Sequence, residues 1–298
     1  MGDMSKEHPP HHVPVLLESV VTLLQPEAGE SYLDLTAGYA GHANVILNKT
    51  GNFKESVLVD RDDYAIQHLS ELETKGVRLM HSDFSSAAKQ LVEEGKTFDV
   101  ILIDLGVSSP QLDQGERGFS FSNNGPLDMR MDQQSGITVA ELIDTIREDK
   151  LAKIIHDYGD EPYGMAKHLA AVIVAGRPFE DTHSLAELIK QHHRGRWSKT
   201  HPATRTFQAL RIAVNDELGQ IEAVLPLLLR LLNKGGRVGI ISFHSLEDRL
   251  VKRFFKEQTA NGLEAILDVV TKKPVSGATD DVHNPRARSA KLRVAVKK

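Results

Sequence analysis
The chain has 298 residues, a formal net charge of −5, 40% hydrophobic and 26% charged residues, and no cysteine. That composition suits a globular protein of one large domain or two and excludes disulfides, thiolate zinc sites and cysteine nucleophiles, in keeping with a cytoplasmic location. Net acidity excludes a uniformly basic nucleic-acid binder. Residues 1–10 lack the apolar core of a secretory leader, and runs such as 224–232 fall far short of the roughly 20 residues that span a bilayer.

In chain order, residues 32–35, 56–60, 77–81 and 98–104 read as short buried strands, with helical spacing over 44–49, 64–74 and 86–94 between them. Such alternation builds a parallel sheet with right-handed crossovers. It breaks from about 137 to 204. There Thr138-x-x-Glu141 and Ser184-x-x-Glu187 have the form of capping boxes, and Leu142, Ile143, Ile146, Leu151, Ile154 and Ile155 recur at helical spacing. Gly159 and Gly176 stand where helix C-termini are expected. The pattern then resumes, with Gly235-Gly236 closing a helix, a strand over 237–242, a helix over 246–257, and closing strands over 266–270 and 292–296. The expected architecture is α/β. Residues 1–136 and 205–298 form a doubly wound, mostly parallel sheet, and 137–204 form an inserted all-helical domain.

Residues 33–42, Leu-Asp-Leu-Thr-Ala-Gly-Tyr-Ala-Gly-His, make a glycine-bearing turn after the first strand, and Asp60 ends the second strand about 20 positions past the first glycine. An acid at that spacing suits the ribose hydroxyls of a nucleotide-like ligand. The turn lacks Gly-x-Gly-x-x-Gly, which disfavours a pyrophosphate and hence a nicotinamide-dependent dehydrogenase. Asp34, Asp60, Asp83 and Asp104 stand at or just after four strand ends. One such acid is commonly a helix cap, whereas four in register suit a ligand carrying ammonium and sulfonium charge. Phe84 either lies against an adenine ring or packs in the core. Asp104-Leu-Gly-Val-Ser-Ser-Pro-Gln111 is the candidate reacting loop: acceptors aimed at the hydrogens of an exocyclic amine would counter delocalisation of its lone pair into the ring. Its alternative is a plain Ser-Ser-Pro turn. The pairs His11-His12 and His192-His193 diverge in regular structure, and no carboxylate lies at zinc-site spacing, so no metal is expected.

Eight segments in order give the chain a resemblance to a known family. They include His12-Val-Pro-Val-Leu-Leu17, the 34–42 turn, Asp104-Leu-Gly-Val-Ser-Ser-Pro-Gln-Leu-Asp113, Arg117-Gly-Phe-Ser-Phe121 and Gly125-Pro-Leu-Asp-Met-Arg-Met-Asp132. The set continues with the segments 201–212, Ile241-Ser-Phe-His-Ser-Leu-Glu-Asp-Arg249 and 284–293. Together they resemble the bacterial ribosomal RNA small subunit methyltransferase H family. That resemblance implies a Rossmann-like class I methyltransferase fold and S-adenosylmethionine as cofactor. It also implies methylation of N4 of a cytosine in the decoding region of 16S rRNA within the small ribosomal subunit, with no membrane partner. Cofactor contacts are implied at Ala40, Gly41, His42, Asp60, Phe84, Asp104 and Gln111. Asp104 is the expected catalytic residue, orienting the amine together with the Ser108-Ser109 backbone. Two departures stand out: Ala40 replaces a usual glycine, and Asn123-Asn124 precedes Gly125 where an Asp is commoner.

Two segments, 190–211 and 286–298, each hold six Lys or Arg and no acid, the arrangement that meets phosphates or, equally, forms a solvated tail. On the resemblance, Arg194, Arg196, Lys199 and Arg205 are expected on RNA phosphates, and Trp197 either stacks on a base or anchors the insert. Alternatives are a methyltransferase acting on another RNA, protein or small-molecule amine, and a non-catalytic RNA-binding protein that binds no S-adenosylmethionine. Oligomeric state stays open, a homodimer included.

Overall fold
The computed structural model describes residues 13–193, 201–260 and 262–298. They divide into two compact units, Met1–Gly106 with Gln220–Lys298, and Val107–Gly219. The second unit is wider than the expected 137–204. Phe119, Leu127, Met129 and Met131 on one flank, and Phe207 and Leu210 on the other, join its core. Residues 107–136 carry no clear periodicity, so their apolar side chains do not announce which core they enter.

The first unit begins with α1 (Leu17–Leu24), β1 (Tyr32–Asp34), α2 (Gly41–Thr50), β2 (Val57–Asp60), α3 (Asp63–Thr74), β3 (Arg78–His81), α4 (Phe84–Glu93) and β4 (Phe98–Asp104). The second holds α5 (Ser109–Asp113), α6 (Val139–Thr145), α7 (Glu148–Gly159), α8 (Tyr163–Gly176), α9 (Thr182–His192) and α10 (Ala203–Asn215). α11 (Glu217–Leu231) leads back to β5 (Leu232–Ser242), α12 (Ser245–Thr259), β6 (Leu267–Val269), β7 (Val275–Ser276) and β8 (Lys291–Lys297). The strand order is β3-β2-β1-β4-β5-β8-β6, with β7 also on β8. β3 through β5 are parallel, and β8 runs antiparallel to β5, β6 and β7. The doubly wound, mostly parallel sheet is therefore present. Chain direction across the sheet reverses between β1 and β4, the switch point outside whose carboxyl ends such folds bind ligands.

Two local readings are corrected by the structure. Gly235-Gly236 does not close a helix. Both lie inside β5, where the ladder to β4 shifts register between Phe98 and Val100. A Cβ on Gly236 would sit 3.0 Å from Phe98 O and 2.9 Å from Asn233 O. The preceding helix ends instead against Lys297, whose Nζ donates to Leu229 O and Leu232 O, both at 2.7 Å. Ser184 does not cap α9. Asp181 does, accepting the Ser184 N–H at 2.8 Å, three residues before the hydroxyl that fits the pattern. Gly159 and Gly176 do end α7 and α8, and the left-handed position after α7 is taken by Asp160, φ 53°.

In the second unit a buried Asn215 on α10 holds an irregular segment in place. Its Oδ1 accepts the Met131 N–H at 2.9 Å and its Nδ2 donates to Met129 O at 2.8 Å. Arg117, also buried, donates to Met131 O at 3.0 Å. Asn215→Ala leaves a buried N–H and a buried C=O without partners, a loss of about 2–4 kcal/mol. Urea unfolding of the variant measures it, and a midpoint unchanged from wild type would mean that the segment does not depend on Asn215.

Candidate functional site
The carboxyl ends of β1, β2 and β4 are laced together by the turn between β1 and α2. Leu35 N–H donates to Leu102 O at 3.0 Å and Ala37 N–H to Val59 O at 2.9 Å, extending both ladders past the strand ends. Thr36 N–H donates to Asp34 Oδ1 at 3.1 Å, and Thr36 Oγ1 accepts the Asp104 N–H at 2.6 Å. Gly38, at φ 51°, donates its N–H to Asp60 Oδ2 at 2.8 Å, while Asp62 N–H donates to Asp60 Oδ1 at 2.9 Å. The two Asp60 oxygens thus fix backbone at Gly38 and Asp62, with the Arg61 N–H a further donor to the carboxylate.

The acids set in this way are strained electrostatically. Asp34 is buried and accepts the Tyr32 hydroxyl at 2.6 Å. Burial, with the neighbouring Asp60 adding to it, pushes its carboxyl up to about 6 against the pull of those hydrogen bonds. Burial likewise raises Asp60, outweighing the N–H groups that favour its charge. Asp104 is raised furthest, by burial first and then by Asp34 and Glu247. Its side chain is 26% exposed, yet Oδ1 is shielded from solvent and has no hydrogen-bond partner among the described residues. Three carboxyls that resist ionisation beside one another are relieved by a cation. An ammonium or sulfonium group fits that donor set.

The rest of the turn faces inward. His42 is buried, with Nε2 3.0 Å from Val15 O. A carbonyl only accepts, so Nε2 carries the hydrogen, and Nδ1 lies 3.8 Å from Asp104 Oδ2. Gly41 makes room for the N-terminal strap: a Cβ there would lie 2.5 Å from Pro14 Cγ. Ala40 occupies the left-handed region at φ 61°, so the turn does require the conformation that glycine adopts without strain.

Ala40, Gly41, His42, Asp34, Asp60 and Asp104 therefore converge on one sheet edge. Asp83 follows β3 but serves as the cap of α4, accepting from Ser85 N–H at 3.0 Å and Ser86 N–H at 2.9 Å. Burial raises its carboxyl, but those bonds and the charge of Arg61 outweigh it and hold it below the usual value. Phe84 is the first residue of α4 and half-buried. Gln111 belongs to the other unit, where its Oε1 accepts the Ser108 N–H at 3.0 Å in a reciprocal cap of α5. That N–H is thereby committed within its own loop, and Ser108 O accepts from Leu112 N–H at 3.3 Å.

Glu247, fully buried, was not singled out by spacing. Its Oε2 accepts Phe243 N–H at 2.7 Å and His244 N–H at 3.2 Å, closing the start of α12. His-x-x-Glu is a capping box with imidazole in place of hydroxyl, a form the usual pattern omits.

The basic segments divide. Arg194, Arg196, Trp197 and Lys199 lie outside the described residues, as do His11 and His12. Arg205 is exposed, 3.7 Å from Glu161, and Lys190 pairs with Glu187 at 2.9 Å. In the C-terminal segment, Arg293 is buried against Asp248 at 2.7 Å, and Lys297 serves the end of α11. These two cations are structural. His192 Nδ1 lies 2.9 Å from Leu188 O, whereas His193 faces Glu161 at 3.7 Å. Asn124 is compensated where it stands: its Nδ2 donates to Asp181 Oδ2 at 2.9 Å, a partner that an Asp would repel. Among the described residues no helix is long and apolar enough to cross a membrane.

Two outcomes follow from the turn. The folded pKa of Asp34 lies above its ordinary 3.8, so the stability it contributes is fully present below about pH 4 and lost as pH rises through about 6. Asp34→Asn removes that loss and should be the more stable protein at pH 8 by on the order of 2 kcal/mol, converging with wild type near pH 4. Denaturant midpoints at the two pH values check this; a variant no better off at pH 8 rules out a strained Asp34. At Ala40, relief of about 1–2 kcal/mol of left-handed strain is opposed by a lost buried methyl and by glycine's entropy, together of similar size. Ala40→Gly should accordingly shift the melting temperature by no more than about 4 °C in either direction.

A family model described as the MraW methylase family matches residues 10–298. A curated protein of Synechocystis sp. named Ribosomal RNA small subunit methyltransferase H is 46% identical over 298 residues, covering 96% of this chain and 93% of that protein. A protein of the same name from Citrifermentans bemidjiense is 44% identical over 309 residues, covering 96% of this chain and 98% of that one.

Proposed function
The chain belongs to the MraW methylase family and is an S-adenosylmethionine-dependent rRNA methyltransferase; we propose that it methylates N4 of a cytosine in the decoding region of 16S rRNA, acting in the cytoplasm on the small ribosomal subunit. The observation that carries this reading is identity above 40% along nearly the whole length of proteins bearing that name. The carboxyl cluster supports it independently, because it suits a cofactor with two cationic groups.

When bound, S-adenosylmethionine supplies a methyl group already activated by its sulfonium, so the protein's task is placement. Asp60, held in place by backbone N–H groups, would meet the ribose hydroxyls. The 40–42 turn would meet the cofactor through its backbone, since the His42 ring is engaged elsewhere, and Phe84 would lie against the adenine. Asp104 would orient the target. A cytosine amine is a poor nucleophile because its lone pair is spread into the ring. A carboxylate that accepts one of its hydrogens draws the nitrogen toward the tetrahedral form that attacks. The base itself must leave its stack to reach such a site. The helical insert, with Arg205 exposed and the basic run 190–211 at its exit, is the proposed RNA-recognition element.

Mass-spectrometric mapping of nucleosides in 16S rRNA, with and without the protein, tests the assignment. N4-methylcytidine should appear only with the protein, and its absence from both free rRNA and purified small subunits would remove the assigned substrate. Methyl incorporation into protein or a metabolite instead would favour the alternative acceptors. Asp104→Ala should lower methyl transfer by about 100-fold or more while RNA affinity changes little. Equal losses in rate and affinity would take Asp104 out of the transfer step.

A further inference from the structure
Asp104 can orient an amine only as a carboxylate, because the protonated form donates from one oxygen and accepts poorly at the other. The structure sets that requirement against its surroundings. Asp34 and the Tyr32 hydroxyl on β1, and Glu247 on α12 with His244 beside it, all face the end of β4, and none supplies a positive charge by necessity. Oδ1 of Asp104 is shielded and has no hydrogen-bond partner among the described residues, so charge on this atom is poorly solvated. An imidazole that can hold a proton lies directly opposite it. His42, at the start of α2, is buried, its Nε2–H is fixed on Val15 O, and its Nδ1 lies 3.8 Å from Asp104 Oδ2. That separation exceeds a hydrogen bond, yet it is within the range where an ion pair forms once the proton sits on the ring.

We propose that His42 is the positioning residue that keeps Asp104 ionised: Nδ1 takes the proton, and the carboxylate is presented to the reacting amine. This rests on the reading of Asp104 as the residue facing that amine. The N-terminal strap is part of the device, because Val15 O selects the tautomer that turns the basic nitrogen of His42 toward β4 rather than away from it. His42 need not touch substrate or cofactor through its ring. It acts through Asp104.

His42→Gln separates this role from a structural one, since the Gln amide donates to Val15 O as Nε2 does but offers no base to Asp104. Without the imidazolium, Asp104 stays protonated to higher pH, so the acid limb of the single-turnover rate on small subunits should move up by about one pH unit. The rate at neutral pH should fall about 10-fold, the alkaline plateau should survive, and S-adenosylmethionine affinity should stay within about 3-fold. Superimposable rate profiles for the variant and wild type overturn the proposal. A second measurement needs no substrate: in the full-length protein, nitrogen NMR of the His42 ring should show the Nε2–H tautomer at high pH. Its titration midpoint should drop in Asp104→Asn, which removes the carboxylate that supports the imidazolium. A midpoint indifferent to Asp104→Asn, or an Nδ1–H tautomer, overturns the proposal whatever the enzyme methylates. Inactivity of wild type on rRNA counts instead against the functional reading.

Discussion

The turn between β1 and α2 hydrogen-bonds outward to both neighbouring strands, and that lacing governs the site. Through it the end of β1 is fixed to Leu102 on one side and Val59 on the other, while Thr36 and Gly38 grip Asp104 and Asp60 directly. Each such bond is worth about 1 kcal/mol net, so none dominates. Their collective effect is positional: carboxyls that would separate in a flexible loop are held at the ends of adjacent strands. The same geometry that assembles the site destabilises it when empty, because burial and mutual repulsion push Asp34, Asp60 and Asp104 toward the neutral form. A cationic ligand reverses that sign. Binding and fold stability are linked through one set of groups.

The second unit solves a different problem. Its 118–136 segment forms neither ladder nor helix, so polar side chains satisfy its backbone from a distance. Asn215 and Arg117, both buried, bind the backbone at Met129 and Met131, and the exposed Asn124 accepts the His183 N–H on α9. Buried donors and acceptors left unmatched are expensive, which makes this unit intolerant of changes that look conservative. Asn124 is matched at the surface. Its departure from the commoner Asp is matched by Asp181, whose carboxylate accepts from its amide.

Much of the sheet was legible because parallel strands buried on both faces read as unbroken apolar runs. β4, with five of its seven residues buried, announces itself. The acids at the strand ends were legible for the same reason, since a polar residue closing an apolar run has few places to be. Local reading failed where tertiary context decides. Gly235-Gly236 resembles a helix terminus, but neighbouring β4 turns it into a strand irregularity. Ser184 has the spacing of a cap, but Asp181 accepts the N–H of Ser184 itself and starts the helix three residues earlier. The second unit's boundaries were obscure because Phe119 and Met131 carry no periodic partner nearby. Pairing of His42 with Asp104 joins residues far apart in sequence, and no motif encodes it. Asp83 was ambiguous and resolved as a helix cap; Gln111 was placed in the other unit, in a local cap of α5.

β8 lies between β5 and β6, yet it is the last of the three to be synthesised. β6 has β8 as its ladder partner, and β5 bonds to β8 along the flank opposite β4. During vectorial synthesis β6 therefore emerges with no template to join, while β5 presents one unpaired, apolar flank until residues 291–297 arrive. The nascent chain must carry an open sheet edge through that interval, the condition under which intermolecular strand pairing competes with folding. Maturation of this half of the sheet is set by the order of translation rather than by the speed of local ordering.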